Sequence, residues 1–439
     1  MPQHNISTAG HIQVEIRAVY FTALIIIIGH YSLPHLLPRA IGTGYIVLYS
    51  ALMILSLMLW RRETLQPRRV LGLGFIVLIA LYPLAMLTSN DAERYLWDGA
   101  VFLSGFDPYL TAPDSTVVAE LRSYWPTPEE HAAYPTLYPP GALALFGFSA
   151  LAGPIYGVWV WKAIATLTAM LSLYFIYALL RRRNALRALP LAALSPLLLF
   201  ETGVGYHLDI FCVLGVSAAL YLIDRERIIW AGIIIGLAAT IKFLPAVIAG
   251  PLLFYFKPSK ALKLFLAASL TWGAAYLLMF GLGYKPLGLL PTFFEKWRGG
   301  APLYPVLENL QTATGLGHKG FLTLLALLAI SGFSLSAFLA RKGHIMAAIM
   351  LSLAVPLLLS PVLFPWYLMI FVPLLALCPN LTLVIAFTLA PLSYVVLNKW
   401  LSQGVWEPAA WPAALLLIGI AAGLYYDIIF KRKRSDQTA

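Results

Sequence analysis

The chain has 439 residues, a formal net charge of +11 and a mean hydropathy of +0.81, and only 11% of its residues are charged while 60% are hydrophobic. Soluble domains carry about 25% charged residues, so this composition excludes a water-soluble body and predicts a protein of the lipid bilayer. Continuously apolar runs such as FLTLLALLAISGFSLSAFLA exclude a barrel of alternating strands. We therefore predict an all-α polytopic membrane protein.

Apolar runs of helical length predict 12 to 14 membrane crossings. They lie near 17–33, 43–60, 70–87, 155–180, 189–201, 208–223, 229–243, 245–256, 262–283, 321–340, 345–363, 366–378, 381–397 and 411–430. Several are shorter than a full crossing, so we expect tilted, broken or re-entrant helices among them. A full crossing at 139–153 would place the basic cluster at Arg181 on the outer side of the membrane. This stretch is therefore predicted to lie in the outer interface or to dip into it.

Basic residues cluster between the apolar runs, which predicts the orientation of the chain. By the positive-inside rule these clusters are cytoplasmic, and so are both termini. The clusters and Arg17 hold 20 of the 30 Lys and Arg: Arg61, Arg62, Arg68, Arg69, Arg181, Arg182, Arg183, Arg187, Arg225, Arg227, Lys257, Lys260, Lys263, Arg341, Lys342 and Lys431–Arg434. The positive charge is thus a topology signal, and no nucleic-acid partner is expected. No linker or repeat divides the chain, which predicts one integral domain, 1–439.

The first long outer loop, 88–138, is rich in acids and rings. It holds eight of the 19 acids and nine aromatic residues, and its acids are Asp91, Glu93, Asp98, Asp107, Asp114, Glu120, Glu129 and Glu130. Sugar hydroxyls need carboxylate acceptors, and the CH faces of sugars stack on aromatic rings. The loop is therefore predicted to pack and to hold a sugar. The alternative is an outer loop that is polar only because it faces water.

Asp91 is the first acid after the third predicted crossing. If a helix spans 89–103, one of its faces carries four polar side chains: Asp91, Arg94, Tyr95 and Asp98. This stripe predicts a base, a cation and a hydrogen-bonding ring that face one cavity. The alternative is an interfacial helix capped by Asn90 or Asp91, with Arg94 as a surface ion-pair partner.

Further ionisable residues fall at the outer ends of the predicted crossings: Lys162, Glu201, His207, Asp209 and Lys242. Charge within a bilayer is costly unless it is paired or functional, so they predict a cavity that opens outward. There are two alternatives. Each lysine could simply extend its ammonium to the membrane interface, and ETGVGYHLD could be the polar tip of a hairpin between two short crossings. In the second outer loop, 284–320, Lys296 and Arg298 are candidates for binding a phosphate group. The alternative is that they are the cations that flank an amphipathic helix of the aromatic belt. Cys212 and Cys378 are predicted to be small hydrophobic residues.

Five segments resemble, in the same order, the motifs of bacterial GT-C glycosyltransferases: SNDAERYLWDGAVFLSGFDPY, YPTLYPPGALALF, ETGVGYHLDIFCVL, GLAATIKFLPAVIAGPLL and SPVLFPWYLMIFVPLL. Over about residues 70–380 the chain resembles the glycosyltransferase 87 type, the polyprenyl-phosphate-mannose-dependent mannosyltransferases. The resemblance implies a GT-C helical bundle with juxtamembrane helices in the first large periplasmic loop. It also implies an inverting transfer of a hexose, mannose in the first place, on the outer face of the bacterial inner membrane.

The resemblance further implies roles for single residues. The family's base is the first acid of the first large outer loop, which here is Asp91. The YPP motif corresponds to Tyr138–Pro140, and a GH.D-like segment corresponds to 205–209 with one residue inserted. Relatives commonly read HPWY where this chain has Phe364 before Pro365. Two helices, within residues 1–69, also precede the loop here and are extra relative to the family pattern.

The predicted chemistry needs one base and several cations. A sugar phosphate has a good leaving group, so Asp91 takes the acceptor proton while cations stabilise the released phosphate. The predicted donor- and acceptor-binding residues are Arg94, Tyr95, Asp98, Tyr138, His207, Asp209, Lys242, Lys296, Arg298, Trp366 and Tyr367. No cofactor and no obligatory metal is expected. Paired acids such as Asp91 and Asp209 are nevertheless residue types that bind metal ions.

The expected partners are a polyprenyl-phosphate sugar, a lipid-linked or glycan acceptor and the bilayer, and the chain is expected to be a monomer. A flippase of lipid-linked glycans is the alternative function, and it should show paired repeats with broken helices. A third possibility is an O-antigen ligase or polymerase.

Overall fold

The structure is a computed structural model that describes residues 4–62, 65–126, 131–286 and 289–437. Across these residues the chain is helical without a strand, and its extended pairing consists of isolated bridges between Gly299–Gly300 and Val362. The α-helices are α1 (His4–Leu36), α2 (Ile41–Arg62), α3 (Pro67–Leu81), α4 (Asp91–Leu103), α5 (Pro140–Ala150), α6 (Gly153–Arg182), α7 (Pro190–Ala193), α8 (Pro196–Gly203), α9 (Asp209–Asp224), α10 (Ile228–Ile241), α11 (Ala249–Tyr255), α12 (Pro258–Gly281), α13 (Leu290–Lys296), α14 (Tyr304–Thr314), α15 (His318–Arg341), α16 (Ile345–Leu358), α17 (Val372–Leu377), α18 (Leu381–Leu389), α19 (Leu397–Gln403) and α20 (Ala410–Gln437). Short 3₁₀ helices lie at Thr116–Val118, Leu121–Ser123, Leu186–Ala188, Leu244–Ile248, Pro365–Phe371 and Ala390–Val396.

Eight segments within the described residues are long and apolar enough to cross a bilayer: Ile16–Leu36, Ile41–Arg62, Gly153–Arg182, Leu186–Gly203, Pro258–Gly281, His318–Arg341, Leu381–Gln403 and Ala410–Ile429. Shorter apolar helices lie at Pro140–Ala150, Ile228–Ile241, Leu244–Tyr255, Ile345–Leu358 and Pro365–Leu377. The prediction of an all-α polytopic membrane protein is confirmed. The number of crossings and the side of each loop stay predictions, because the shorter helices fall below the length of a full crossing.

Prolines set where many of the helices begin. Helices α3, α5, α7, α8 and α12 each have a proline in their first turn: Pro67, Pro140, Pro190, Pro196 and Pro258. Its fixed φ suits that turn, and the N–H that it lacks would have no partner there. The apolar run at 189–201 is consequently divided into α7 and α8, which each start at a proline.

The chain folds into two compact units, each assembled from separated segments. Unit 1 comprises Met1–Thr88, Ala169–Gly205 and Val372–Ala439, and unit 2 comprises Ser89–Thr168 and Tyr206–Phe371. No single cut of the chain separates them, in keeping with the absence of a linker in the sequence. The prediction of one integral domain stays a prediction.

A buried carboxylate ties helices of unit 1 together. The Glu201 side chain of α8 accepts hydrogen bonds from the Tyr45 hydroxyl at 2.7 Å, the Tyr394 hydroxyl at 2.5 Å and the Thr88 hydroxyl at 3.1 Å. Glu201 has 0% relative exposure, and Tyr45 is also fully buried. The three donors offset the cost of removing a carboxylate from water.

In unit 2, the acidic loop 88–138, which includes α4, forms a packed core and does not simply face water. Apolar residues of α4 form a core with the two 3₁₀ turns that follow, with the segment after them and with the end of α5. Its members are Leu96, Trp97, Ala100, Val101, Val118, Leu121, Trp125 and Ala150. Trp97 is fully buried and Trp125 is 9% exposed. The rings of the loop thus serve packing, as their number predicts. Glu129 and Glu130 lie outside the described residues.

Two glycines allow the helices of unit 2 to approach closely. A Cβ on Gly99 of α4 would collide with the carbonyl oxygen of Phe146 in α5. A Cβ on Gly141 of α5 would collide with the Thr240 hydroxyl of α10. Helix α4, which carries the first acids of the loop, is therefore held firmly on the apolar helices beneath it.

Candidate active site

Asp91 is the first residue of α4, and its carboxylate faces a histidine. Its Oδ2 lies 3.4 Å from Nδ1 of His207 and accepts a 3.5 Å hydrogen bond from the Tyr95 hydroxyl. The Asp91 side chain remains 34% exposed. Asn90 occupies the cap position without a side-chain capping bond, so the capping alternative does not describe this helix start. The helix begins at residue 91, two residues later than predicted.

The neighbours of Asp91 favour its ionised form. Burial raises the pKa of the carboxyl, but the close approach of His207 and the charges of His207, Lys242 and His131 outweigh this effect and lower the pKa below its ordinary value. At neutral pH the side chain is therefore a carboxylate that is able to accept a proton.

The His207 ring is held in a stack. It lies parallel to Trp366 with ring centroids 3.9 Å apart and an interplanar angle of 10°, and Trp366 stacks on Phe364 at 4.5 Å. The His207 side chain is fully buried. The stack restricts the imidazole plane and leaves its Nδ1 edge toward Asp91. Phe364, which stands where relatives commonly have histidine, contributes the outer ring of this stack.

A buried ion pair lies next to Asp91. Lys242 Nζ donates to Asp209 Oδ1 at 2.7 Å and lies 4.0 Å from the centroid of the Tyr367 ring. The Asp209 side chain is 5% exposed, while the Lys242 side chain keeps 26%. Lys242 follows directly after the last residue of α10 and Asp209 begins α9, so two helix termini meet at this pair. The ammonium has one anionic and one aromatic partner, and part of the side chain stays exposed.

Arg94 and Asp98, which lie on the same predicted face of α4 as Asp91, hold the loop together. Arg94 Nε donates to Asp98 Oδ1 at 2.8 Å, and its terminal nitrogens donate to the carbonyls of His131 at 3.1 Å and Tyr134 at 2.8 Å. Arg94 thus pairs with Asp98 inside the loop, and with Arg94 at 11% side-chain exposure the pair does not lie on the surface. Burial raises the pKa of Asp98, and Arg94 and Thr136 offset only part of that rise. A phosphate-binding role of Arg94 stays a prediction.

Lys296 and Arg298 of the second loop contact that loop's own backbone and the first loop. Arg298 pairs with Glu308 at 3.1 Å and donates to three carbonyls at the end of α13. Lys296 Nζ lies 3.5 Å from the Tyr134 hydroxyl. The structure therefore brings together Asp91, His207, Asp209, Lys242, Trp366 and Tyr367, and it gives Lys296 and Arg298 partners in the two loops.

An aromatic cluster packs around Tyr95, the residue whose hydroxyl donates to Asp91. Tyr95 stacks on Phe146 at 4.6 Å and meets the edges of Tyr138 at 5.3 Å and Trp161 at 5.1 Å. Burial raises the pKa of both tyrosines, so their hydroxyls stay protonated hydrogen-bond donors. Sequence reasoning missed Phe146 and Trp161, because rings in apolar helices carry no signal of their neighbours.

Among the residues that the structure describes, no three His, Cys, Asp or Glu side chains are grouped so that they could hold a metal ion. The expectation of a metal-independent site stays a prediction.

A family model described as "Alpha-(1->6)-mannopyranosyltransferase, N-terminal domain", of the MptA_B family, matches residues 7–256, which is more than half of the chain. The chain belongs to this family. It is a glycosyltransferase of a mannosyltransferase family, consistent with the GT-C, glycosyltransferase 87-type resemblance in its sequence. No curated protein and no solved structure matches the chain.

The extent of the MptA_B match bears on two predictions. It begins at residue 7 and so includes α1 and α2, the helices described above as extra, which belong to the matched domain. It also includes Asp91, His207 and Lys242, and it ends before the segment with Trp366. The site thus combines side chains from inside and outside the matched region.

Proposed function

We propose that this MptA_B family member transfers a mannosyl group from a polyprenyl phosphate to a hydroxyl of a lipid-linked or glycan acceptor, with inversion, at the outer face of the bacterial inner membrane. The observation that carries this proposal is the Asp91 carboxylate, which is partly exposed, has a lowered pKa and lies near the half-buried ammonium of Lys242. A glycosyl transfer from a phosphate requires this combination of a base and a positive charge.

In the proposed step, the acceptor oxygen attacks C1 of the mannosyl group while its proton passes to Asp91. The new C1–O bond forms on the face opposite the phosphate, and the old C1–O bond breaks. Its electron pair leaves with the phosphate oxygen, so the products are the mannosylated acceptor and the polyprenyl phosphate. No nucleotide is consumed, because the donor is already activated.

Lys242 is the proposed principal contact for the phosphate. Its ammonium is fixed by Asp209 and Tyr367 but keeps exposed surface, so it can meet a second anion without reorganisation. Arg298 and Lys296 are proposed to meet the donor from the second loop, and Arg94 is proposed to act through the loop that it holds. Apolar helix surface offers a place for the prenyl chain. The printed family name suggests a (1->6) linkage, which would make the acceptor hydroxyl a primary one.

Asp91→Asn tests the proposal, because the amide keeps the size of the side chain and cannot take a proton. With purified protein in nanodiscs and a short-chain polyprenyl-phosphate mannose, we expect kcat to fall by about 100-fold or more. Asp114→Asn is the matched control, since Asp114 is an exposed acid of the same loop.

Wild-type transfer that persists in Asp91→Asn would remove Asp91 as the base. Failure of the wild type with every phosphoprenyl sugar, together with scrambling of lipid-linked glycans in liposomes, would favour the flippase instead.

A further inference from the structure

Tyr206, the residue before His207, has an unusual backbone conformation. Its φ is +58°, in the left-handed region, and its side chain is only 2% exposed. Glycine and asparagine visit this region readily, whereas for a bulky residue it is an outlier that costs on the order of 1–3 kcal/mol. Such a conformation persists only where the surrounding structure imposes it. Because this turn sets the direction of the next side chain, it also sets where His207 points.

Two consecutive residues of α6 hold Tyr206 from different sides. The Trp161 indole Nε1 donates to the Tyr206 carbonyl oxygen at 2.8 Å. Lys162 Nζ lies 4.5 Å from the centroid of the Tyr206 ring. Trp161 is fully buried and Lys162 is 3% exposed, so both contacts are shielded from water and correspondingly strong.

Lys162 has no part in the proposed transfer, yet its presence is costly. It lies inside the apolar helix Gly153–Arg182, one of the segments able to cross the membrane. A lysine at such a position is retained where it has partners or a function. Its aromatic contacts are the Tyr206 ring and the Trp159 ring, the latter at 4.7 Å.

We propose that Trp161 and Lys162 are positioning residues that hold Tyr206 in its left-handed conformation and thereby keep the His207 ring against Asp91. The kinetic part of this proposal rests on the proposed role of Asp91 as base. Trp161 acts through a hydrogen bond to the backbone, and Lys162 acts through the ring. If either is lost, the Tyr206 backbone relaxes to negative φ and His207 Nδ1 moves away from the carboxylate.

Two variants remove one contact each and keep an apolar side chain at the position. Trp161→Phe loses the donor but retains an aromatic ring, and Lys162→Met loses the charge but retains the apolar stem. For each we expect kcat to fall about tenfold, the worth of one buried hydrogen bond or cation–ring contact, with KM unchanged. Trp230→Phe, on an exposed tryptophan of α10, should leave kcat unchanged.

Tyr206→Asn distinguishes positioning from general packing. Asparagine adopts the left-handed conformation more readily than tyrosine, so it needs the Trp161 bond less. When Trp161→Phe is combined with Tyr206→Asn, it should therefore cost less than about threefold in kcat relative to Tyr206→Asn alone. An equal cost with and without Tyr206→Asn would mean that Trp161 acts only through packing, and it would overturn the proposal.

A structure of Trp161→Phe gives a readout that needs no substrate. We expect φ of residue 206 to become negative and the distance between His207 Nδ1 and Asp91 Oδ2 to exceed its present 3.4 Å. Unchanged geometry in Trp161→Phe and in Lys162→Met would overturn the proposal even if both lose activity. If Trp161→Phe does not fold, Lys162→Met decides. Should the wild type fail to transfer mannose, the proposed function falls, and these structures still test the positioning.

Discussion

The proposed base owes its proton affinity to its neighbours. Asp91 is partly desolvated, which alone would raise its pKa, and His207 and Lys242 reverse that effect. The reacting form is the carboxylate, so activity is present above the pKa of Asp91 and is lost as the pH falls through it. Because that pKa is lowered, the wild-type enzyme should keep its activity into unusually acidic solution.

His207→Gln removes the largest of the groups that lower the pKa of Asp91. We expect the acid limb of the kcat/KM profile to move to higher pH, since burial still favours the protonated acid while its main opposing group is gone. The measurement is a pH series of mannosyl transfer. His344→Gln, an exposed histidine before α16, is the control and should leave the profile in place. An acid limb that is the same in both variants would exclude His207 as the group that sets this pKa.

The individual site residues were predictable to different degrees. Asp209 and Lys242 stand out in the sequence because charged residues inside apolar runs need a reason, and the structure pairs them. That Arg94 bonds to Asp98, four residues on, could not be derived, because the spacing to Asp91 suits a pair equally well. Tyr206 gave no signal, since a positive φ is a property of the fold and not of the residue type.

At the scale of single elements, the contact of α4 with α5 determines where Asp91 lies. Gly99→Ala should destabilise the protein by about 1–3 kcal/mol, because the new methyl group would meet the backbone of Phe146. The shift of α4 should also lower kcat. Thermal unfolding in detergent and the transfer assay measure the two effects.

Gly273→Ala is the matched control for this test, because nothing lies within 4 Å of the Cβ that it adds to α12. Alanine favours a helix over glycine, so this variant should be neutral or slightly stabilising. If Gly99→Ala behaves like Gly273→Ala, the close approach of α4 and α5 does not limit stability.

Element bounds follow the hydropathy where the chain is regular and depart from it where proline intervenes. The predicted crossing 43–60 agrees with α2, Ile41–Arg62. The predicted crossing 70–87 is longer than the helix found there, because α3 ends at Leu81. The run 366–378 is a 3₁₀ helix followed by the short α17. Hydropathy reports burial in lipid or protein alike, so it cannot tell a regular helix from a broken one.

At the scale of the whole molecule, unit 1 contains a network built around one buried charge. In unit 1 the carboxylate of Glu201 is satisfied by hydroxyls, and two of them belong to Tyr45 of α2 and Tyr394 of the 3₁₀ segment. The network gives α2 a structural role, because Tyr45 is one of its residues. Neither the partners nor the division into units could be derived from sequence, because the residues involved lie more than 100 positions apart.

Tyr45→Phe and Tyr394→Phe should each destabilise the protein by about 1.5–3 kcal/mol, because each removes a hydrogen bond to a buried charged group. Thermal unfolding in detergent is the measurement. Tyr425→Phe, on an exposed tyrosine of α20, should have no effect. Equal unfolding temperatures for Tyr45→Phe and Tyr425→Phe would show that Glu201 does not need this donor.

The stack of His207, Trp366 and Phe364 has a consequence for how such chains diverge. Its first ring lies inside the region that the family model matches, and its other two lie beyond residue 256. A chimera that exchanges only residues 7–256 with a relative would join one parent's imidazole to the other parent's indole. We therefore expect such a chimera to keep the stack only when segment 361–371 is exchanged together with residues 7–256.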